Sequence, residues 1–283
     1  MRAYAELVRA PAALTVLGDT LAGAAAAGAP LRGRRLLLPL ASVAVYWSGM
    51  ALNDWADREL DAVERPERPI PSGRISPRAA LATAAALSAT GLGLAALAGG
   101  RDALAVAAPL TAAVWCYDTV LKDTAAGPLA MATCRALDVL MGAGRERART
   151  ALTSAAVIGG HTLGVTALSR GEVHGATRAT AEAVLGGTAL TTVTAATRPA
   201  RTWRHRLGVL AGAATYAATV GRAQLAAVRE PDAGTVRSAT KSGIHGMVPL
   251  QCALVARSGV LPAAALALVL PVARALSRKV GPT

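Results

Sequence analysis

The chain has 283 residues, 53% of them apolar and 17% charged, with 30 Lys+Arg against 17 Asp+Glu for a net charge of +13. With a mean hydropathy of +0.40, and a charge content below the roughly 25% of soluble domains, these values exclude a disordered chain and a disulfide scaffold. The arginines fall in bursts beside apolar stretches, at Arg32, Arg34 and Arg35, at Arg145, Arg147 and Arg149, and at Arg201, Arg204 and Arg206. Snorkelling and headgroup contact produce such bursts, so membrane lipid is expected as the solvent and no nucleic acid as a partner. An alanine-rich soluble helical protein is the competing reading, because alanine is only weakly lipophilic.

Apolar segments near the length that crosses about 30 Å of hydrocarbon as a helix lie at 10–29, 36–56, 77–99, 102–121, 125–143, 150–169, 178–197 and 205–228. The first is interrupted by Asp19 and reads as a membrane helix rather than a cleavable leader. Ser76 before Pro77 is an expected N-cap, Pro128 suits a first helical turn, and Gly99-Gly100 and Gly142-x-Gly144 read as helix stops. The pairs Gly91-x-Gly93 and Gly159-Gly160 allow close helix approach. A polar stretch follows from Arg229 to Lys241, then about 40 weakly apolar residues holding one or two spans. The expected architecture is a single all-α membrane domain over 1–283. Arginines divide evenly between the two faces, so charge gives no orientation.

Cys116, Cys134 and Cys252 lack the C-x-x-C spacing of a zinc or redox site and are expected as small buried hydrophobes. His161, inside a span, reads as a packing histidine, with the lining of an acceptor site as the alternative.

The scarce acids are informative. Asp54, Asp57, Glu59, Asp61, Glu64 and Glu67 crowd the end of the second span in the pattern Asn53-Asp54-x-x-Asp57-x-x-x-Asp61. On a continuing helix Asn53, Asp57 and Asp61 repeat at i, i+4 and i+8, and Asp54 joins their face. Stacked carboxylates repel unless a cation sits between them, and hard oxygen donors suit Mg²⁺ bridging to substrate phosphates. The bland alternative is a solvated acidic loop balanced by Arg58, Arg65 and Arg68.

The loop Arg65-Pro66-Glu67-Arg68-Pro69-Ile70-Pro71-Ser72-Gly73-Arg74 is stiffened by three prolines and offers guanidinium forks for phosphate oxygens. At the end of the fourth span comes Tyr117-Asp118-x-x-x-Lys122-Asp123. Its lysine is a candidate phosphate contact, with snorkelling as the alternative. Arg135 and Asp138, at i, i+3 in the fifth span, read as a cavity-lining pair, with mutual pairing as the simpler option.

The run from Asn53 to Ser76, NDWADRELDAVERPERPIPSGRIS, closely resembles the first aspartate-rich motif and following loop of the UbiA superfamily of intramembrane prenyltransferases, and the order of spans around Tyr117 and Lys122 is similar over nearly the whole chain. The resemblance implies a bundle of about nine transmembrane helices around a central cavity, multi-pass in the bacterial cell membrane. It also implies Mg²⁺-dependent transfer of a prenyl group from a polyprenyl diphosphate to a lipophilic or aromatic acceptor. On that pattern Asn53, Asp54, Asp57 and Asp61 are the metal and diphosphate ligands, Arg68 and Arg74 the loop arginines, and Lys122 the basic phosphate contact. Tyr117, Asp118, Arg135 and Asp138 join the substrate site.

One departure concerns the second aspartate-rich motif, expected after the sixth span, where this chain reads Thr166-Ala167-Leu168-Ser169-Arg170-Gly171-Glu172-Val173-His174-Gly175. Three outcomes stay open: Ser169 and Glu172 hold a second metal weakly, Arg170 replaces it as a fixed cation, or activity is altered or lost. The departure resembles an actinobacterial and cyanobacterial UbiA-like branch. The alternative to an enzyme is a non-catalytic isoprenoid-lipid binder or carrier. A CDP-alcohol phosphotransferase is excluded because its D-G-x-x-A-R signature is absent.

Overall fold

The computed structural model describes residues 2–268 and 271, and every regular element among them is helical. In chain order these are α1 (Arg2–Leu7), α2 (Leu17–Ala26), α3 (Leu37–Ala56), α4 (Arg58–Glu64), α5 (Pro77–Cys116), α6 (Gly127–Ala143), α7 (Ala148–Ser169) and α8 (Arg178–Thr197). They are followed by α9 (Trp203–Tyr216), α10 (Arg222–Arg229), α11 (Ala233–Ala256) and α12 (Val260–Ala267). Single π-helical turns join α5 to the α6 approach at Tyr117–Leu121 and α9 to α10 at Ala217–Gly221.

The expected borders follow local chemistry. Ser76 accepts the Ala79 amide at 3.2 Å with Pro77 in the first turn of α5. Gly144 ends α6 at φ 82°, a conformation that disfavours any side chain.

Helix α5 is the longest element, and 40 residues in a straight rod would reach about 60 Å, twice the hydrocarbon thickness. It does not run straight. Gly100 takes φ 59° and ψ −142°, and the Trp115 indole donates to Ser88 Oγ at 2.9 Å, a contact between residues 27 apart in sequence that only an antiparallel hairpin permits. The two expected spans at 77–99 and 102–121 are therefore two arms folded at Gly100.

Small residues set the helix spacing. A Cβ on Gly142 would lie 2.0 Å from the Thr20 carbonyl oxygen, and one on Gly23 would lie 1.8 Å from that of Val139, so α2 and α6 cross at backbone contact. In the two pairs noted in the sequence one glycine faces a neighbour: Gly91 meets Val45 and Gly159 meets the Ala132 carbonyl, whereas Gly93 and Gly160 face open space. Alanine, valine and leucine fill the core between these crossings, with Tyr216 its largest fully buried side chain.

Hydrogen bonds place the ends of the helices. Asp57 and Lys122 meet at one end, where Arg170 reaches Thr124 and Arg237 reaches the Glu172 carbonyl at 3.2 Å. At the other end Arg35 holds the Gly142 carbonyl at 2.9 Å, the Glu146 amide donates to Asp102 at 2.8 Å and the Arg257 carbonyl accepts the Arg201 amide at 3.3 Å. The arginine bursts of the sequence lie at this second end, away from the acids.

The structure corrects several expectations. The 10–29 segment is a six-residue 3-10 turn and the ten-residue α2, because Arg9 at φ 46° and Gly28 at φ 61° bound it with left-handed backbone. The polar stretch 229–241 is mostly the start of α11, nucleated by Asp232, whose side chain accepts the Gly234 and Thr235 amides. Cys116 is exposed rather than buried, since the outer face of α5 turns it away from the bundle, whereas Cys134 is buried. Three helical segments among the described residues, Gly33–Ala56, Pro77–Leu121 and Ala148–Ser169, are long and apolar enough to cross a membrane. The other expected spans are helical but mix threonine, glycine and arginine into their alanine, which lowers their hydropathy. The expected one or two spans after Lys241 correspond to α11 and α12 as far as residue 268; the rest, with Lys279, lies outside the described residues.

Candidate active site

The helical stack of acids survives at the backbone. Amides of Asp57, Asp61 and Arg65 bond to the carbonyls of Asn53, Asp57 and Asp61 at 2.9, 2.8 and 2.9 Å, so the ladder runs through the α3–α4 junction although Asp57 itself leaves helical geometry at ψ 2°. The side chains then part into two groups.

Asp54 and Asp61, 4% and 2% exposed, turn toward the arginines. Arg68 Nη1 lies 3.3 Å from Asp54 Oδ1 and 2.5 Å from Asp61 Oδ2, Arg9 Nη2 approaches Asp54 Oδ1 at 3.0 Å, and Arg65 flanks Asp61 at 3.8 Å. Arg68 is thereby folded back onto α3 and α4, and the proline-rich loop is fastened to the end of the bundle. Arg74 sits apart: it pairs with Glu6 of α1 and donates to the Glu67 carbonyl at 2.7 Å. The Arg74 hydrogen bond, opposed by slight burial and helped by Arg2, holds the Glu6 carboxyl below the ordinary carboxylate range.

Asn53 and Asp57 face the other way. Lys122 donates to Asp57 Oδ1, and Asn53 Nδ2 lies 3.4 Å from Asp118 Oδ1. The π-helical turn brings them together: the Lys122 amide reaches back five residues to the Tyr117 carbonyl at 2.9 Å, and the widened turn holds Asp118 inward at 3% exposure. Such turns are frequent at functional sites. Asp118 makes no ion pair among the described residues.

Behind Asp118 a cavity of about 80 Å³ extends between α3, α5 and α6, lined by Tyr46, Gly49, Met50, Tyr117, Arg135 and Asp138 among others. Arg135 and Asp138 both line it, but they do not pair with each other. Arg135 Nε lies 2.9 Å from Asp19 Oδ2 on α2, and Gln251 of α11 donates to Asp19 Oδ1 at 2.6 Å. Asp138 instead accepts the Ser42 hydroxyl at 2.5 Å. The close crossing at Gly142 brings α2 near enough to compete for the arginine. Asp19 and Arg9 are the residues that sequence reasoning missed; an acid inside an apolar stretch is the signal that could have found Asp19.

The residues at the place of the second motif do not converge on the acids. Ser169 Oγ donates to the Thr166 carbonyl at 2.9 Å, Glu172 contributes its carbonyl to Arg237, and Arg170 bonds to the carbonyls of Thr124 and Lys122, bracing the loop that carries the lysine. His161 is satisfied on both ring nitrogens, by the Tyr216 hydroxyl at 2.8 Å and the Gly243 carbonyl at 3.0 Å.

Among the described residues no three His, Cys, Asp or Glu side chains form a preformed metal cage. Mg²⁺ does not demand one, because it keeps several waters and uses one or two carboxylates plus substrate phosphates. Asn53, Asp57 and Asp118 supply hard oxygen donors of that kind beside a lysine, so the residues fit the ion.

Residues 14–168 match the profile of the UbiA prenyltransferase family. A digeranylgeranylglyceryl phosphate synthase of Methanopyrus kandleri is 43% identical over 125 residues, which is 44% of this chain and 45% of that relative. The chain thus matches a little under half the length of this curated relative. Among solved structures, the apo form of a UbiA homolog from Aeropyrum pernix K1 aligns with a TM-score of 0.67 at 18% identity, over 86% of this chain and 96% of that one. A UbiA homolog from Archaeoglobus fulgidus bound to GPP and Mg²⁺ aligns with a TM-score of 0.58 at 13% identity, over 85% and 99%. At these identities the structures establish the shared fold.

Proposed function

We propose, since the chain belongs to the UbiA prenyltransferase family, that it transfers a prenyl group from an isoprenoid diphosphate to an acceptor within the membrane. The observation that carries this reading is the meeting of Asp57 with Lys122 and of Asn53 with Asp118, the last of which also lines a largely apolar cavity.

Asn53, Asp57 and Asp118 would hold Mg²⁺, which when bound neutralises charge on the diphosphate. Lys122 is a point charge on the same mouth and stabilises the leaving group as its charge develops. Asp54 and Asp61, by contrast, act through Arg68: they fix the proline-rich loop over the site rather than carrying the ion themselves. Arg74 lies nearer the solvent and is available to outer phosphate oxygens. Arg170 braces the lysine loop as a fixed cation in place of a second aspartate motif, and Glu172 and Ser169 are not ligands in this reading. Apolar walls from Val45, Met50, Leu110 and Val114 keep water from an allylic cation.

The Methanopyrus relative is named for a glyceryl phosphate product, which favours a glycerol-type acceptor over the aromatic one suggested by the sequence. The decisive experiment is labelled prenyl transfer in membranes with Mg²⁺. Asp57→Ala is expected to reduce turnover by at least about 100-fold, the scale set by loss of one charge-stabilising group, while Glu172→Ala leaves it within about twofold, since that carboxyl makes no contact at the site. Diphosphate binding by the unaltered protein with no transfer to any lipid would instead favour a carrier.

A further inference from the structure

We propose that a groove on the outside of the bundle, between α9, α11 and α12, seats one hydrocarbon chain of an anionic phospholipid, with Arg204 and Arg201 holding its phosphate. The groove shares no residue with the cavity behind Asp118, so this site stands apart from the prenyl transfer proposed above.

The groove holds about 500 Å³. Its depth comes from small side chains on facing walls: Gly208, Ala211 and Gly212 on α9 stand opposite Ala263, Ala264 and Ala267 on α12. None of these can reach across and close the gap. From Gly208 to Thr219 the wall follows α9 and its π-helical turn, a run of about 16 Å at the helical rise. That is half of the roughly 30 Å of hydrocarbon in a bilayer, the reach of a chain from one leaflet. Leu207, Leu210, Val260 and Leu261 flank the groove and are exposed, a rim that lipid covers and water does not.

Charge identifies the headgroup. Arg204 stands one turn before Gly208 on the same face of α9, at the arginine-rich end of the bundle. Arg201 is tied beside the α11–α12 turn by its amide, which donates to the Arg257 carbonyl at 3.3 Å. Arg206 and Arg257 are spent on the carbonyls of Ala196 and Pro199. Arg198 Nε is buried without a partner. Arg201 and Arg204 are exposed, and among the described residues neither side chain makes an ion pair or a hydrogen bond. The Arg204 guanidinium lies 5.5 Å from the ring centroid of Trp203, itself exposed, and tryptophan is enriched at headgroup depth.

Five guanidinium groups, with no carboxylate paired to them among the described residues, thus gather at the open end of a chain-length groove. A phosphodiester fits their fork of donors. A zwitterionic lipid carries an ammonium that the same arginines repel. A second copy of the chain docked here about a two-fold axis would bring like charge against like.

The test is native mass spectrometry of the full chain in detergent, with phosphatidylglycerol or phosphatidylcholine of equal chain length. The expected result is one tightly retained phosphatidylglycerol, favoured at least about fivefold over phosphatidylcholine, the scale of one cation near an anionic headgroup. Arg204→Glu abolishes that preference. Ala211→Trp fills the groove from an exposed position and removes the retained lipid. Arg149→Glu, in a separate arginine burst at the same end, leaves retention as it was. Equal retention of the two lipids, or a preference that survives Arg204→Glu, overturns the proposal. So does a preference lost as fully in Arg149→Glu, which would mean diffuse charge rather than a site, and so does a lipid-free dimer, which would mean that a second copy covers the groove. If Ala211→Trp does not fold, the exposed Arg204→Glu decides alone.

Discussion

Arg68 is 11% exposed and sits between two carboxylates buried more deeply than itself. Removing a partner from a buried ion pair costs about 3–5 kcal/mol where the remaining charge is left unpaired, an upper bound here because Arg9 stays on Asp54 and Arg65 flanks Asp61. Arg68→Ala is accordingly expected to lower the thermal unfolding midpoint in detergent by about 5–15 °C. Arg68→Lys is expected to recover part of this, because both contacts run through the single atom Nη1, a point-charge geometry that an ammonium can also supply. Circular dichroism melts check both, and a melt of Arg68→Ala that matches the unaltered protein would refute the pairing. The acid cluster itself was legible in the sequence, since its spacing is local and follows the helical repeat. Which acid meets which cation was not: Asp57 finds Lys122 and Arg135 finds Asp19 across helices 65 and 116 residues apart, and spacing carries no information about such encounters.

Among the elements, α5 shows how one residue turns a helix into two spans. Gly100 occupies backbone space that a side chain reaches only with strain of about 1–3 kcal/mol. Gly100→Ala is expected to destabilise the hairpin by that amount and to loosen the Trp115–Ser88 bond, visible as a shift in tryptophan emission. The crossing of α2 and α6 is more demanding, because at Gly142 a methyl group would meet backbone rather than a flexible side chain. Gly142→Ala should cost at least the roughly 1–3 kcal/mol of core overpacking and weaken prenyl transfer by drawing Asp19 away from Arg135, an effect read as a fall in both midpoint and turnover. Helix borders at Pro77, Gly100, Pro128 and Gly144 were readable from residue type alone. The short α2 was not, since it begins at Val16 with no side-chain cap, after a 3-10 turn that opens on left-handed backbone at Arg9, a conformation that few non-glycine residues adopt.

For the molecule as a whole, the two ends of the bundle differ in character. One gathers most of the acids with their cations around Asp57, Lys122 and Arg68; the other presents arginines such as Arg145, Arg147, Arg149, Arg201 and Arg204 with few acids among them. With three helical segments apolar enough to span lipid, the chain is expected to stay with membranes through washes in high salt and alkaline carbonate and to be released by detergent; release by salt alone would refute a membrane-spanning bundle. Composition and period determined the all-helical architecture, the solvent it is built for and the acid-rich end of the bundle, because hydropathy, caps and i, i+4 spacing act over short stretches of chain. Only the tertiary structure decided that Asp54 and Asp61 pair with Arg68, that Asp118 lies beside Asn53, and that Arg135 meets Asp19 rather than Asp138. Those outcomes depend on how closely glycine and alanine let the helices approach, and the approach sets which buried charges are near enough to neutralise one another.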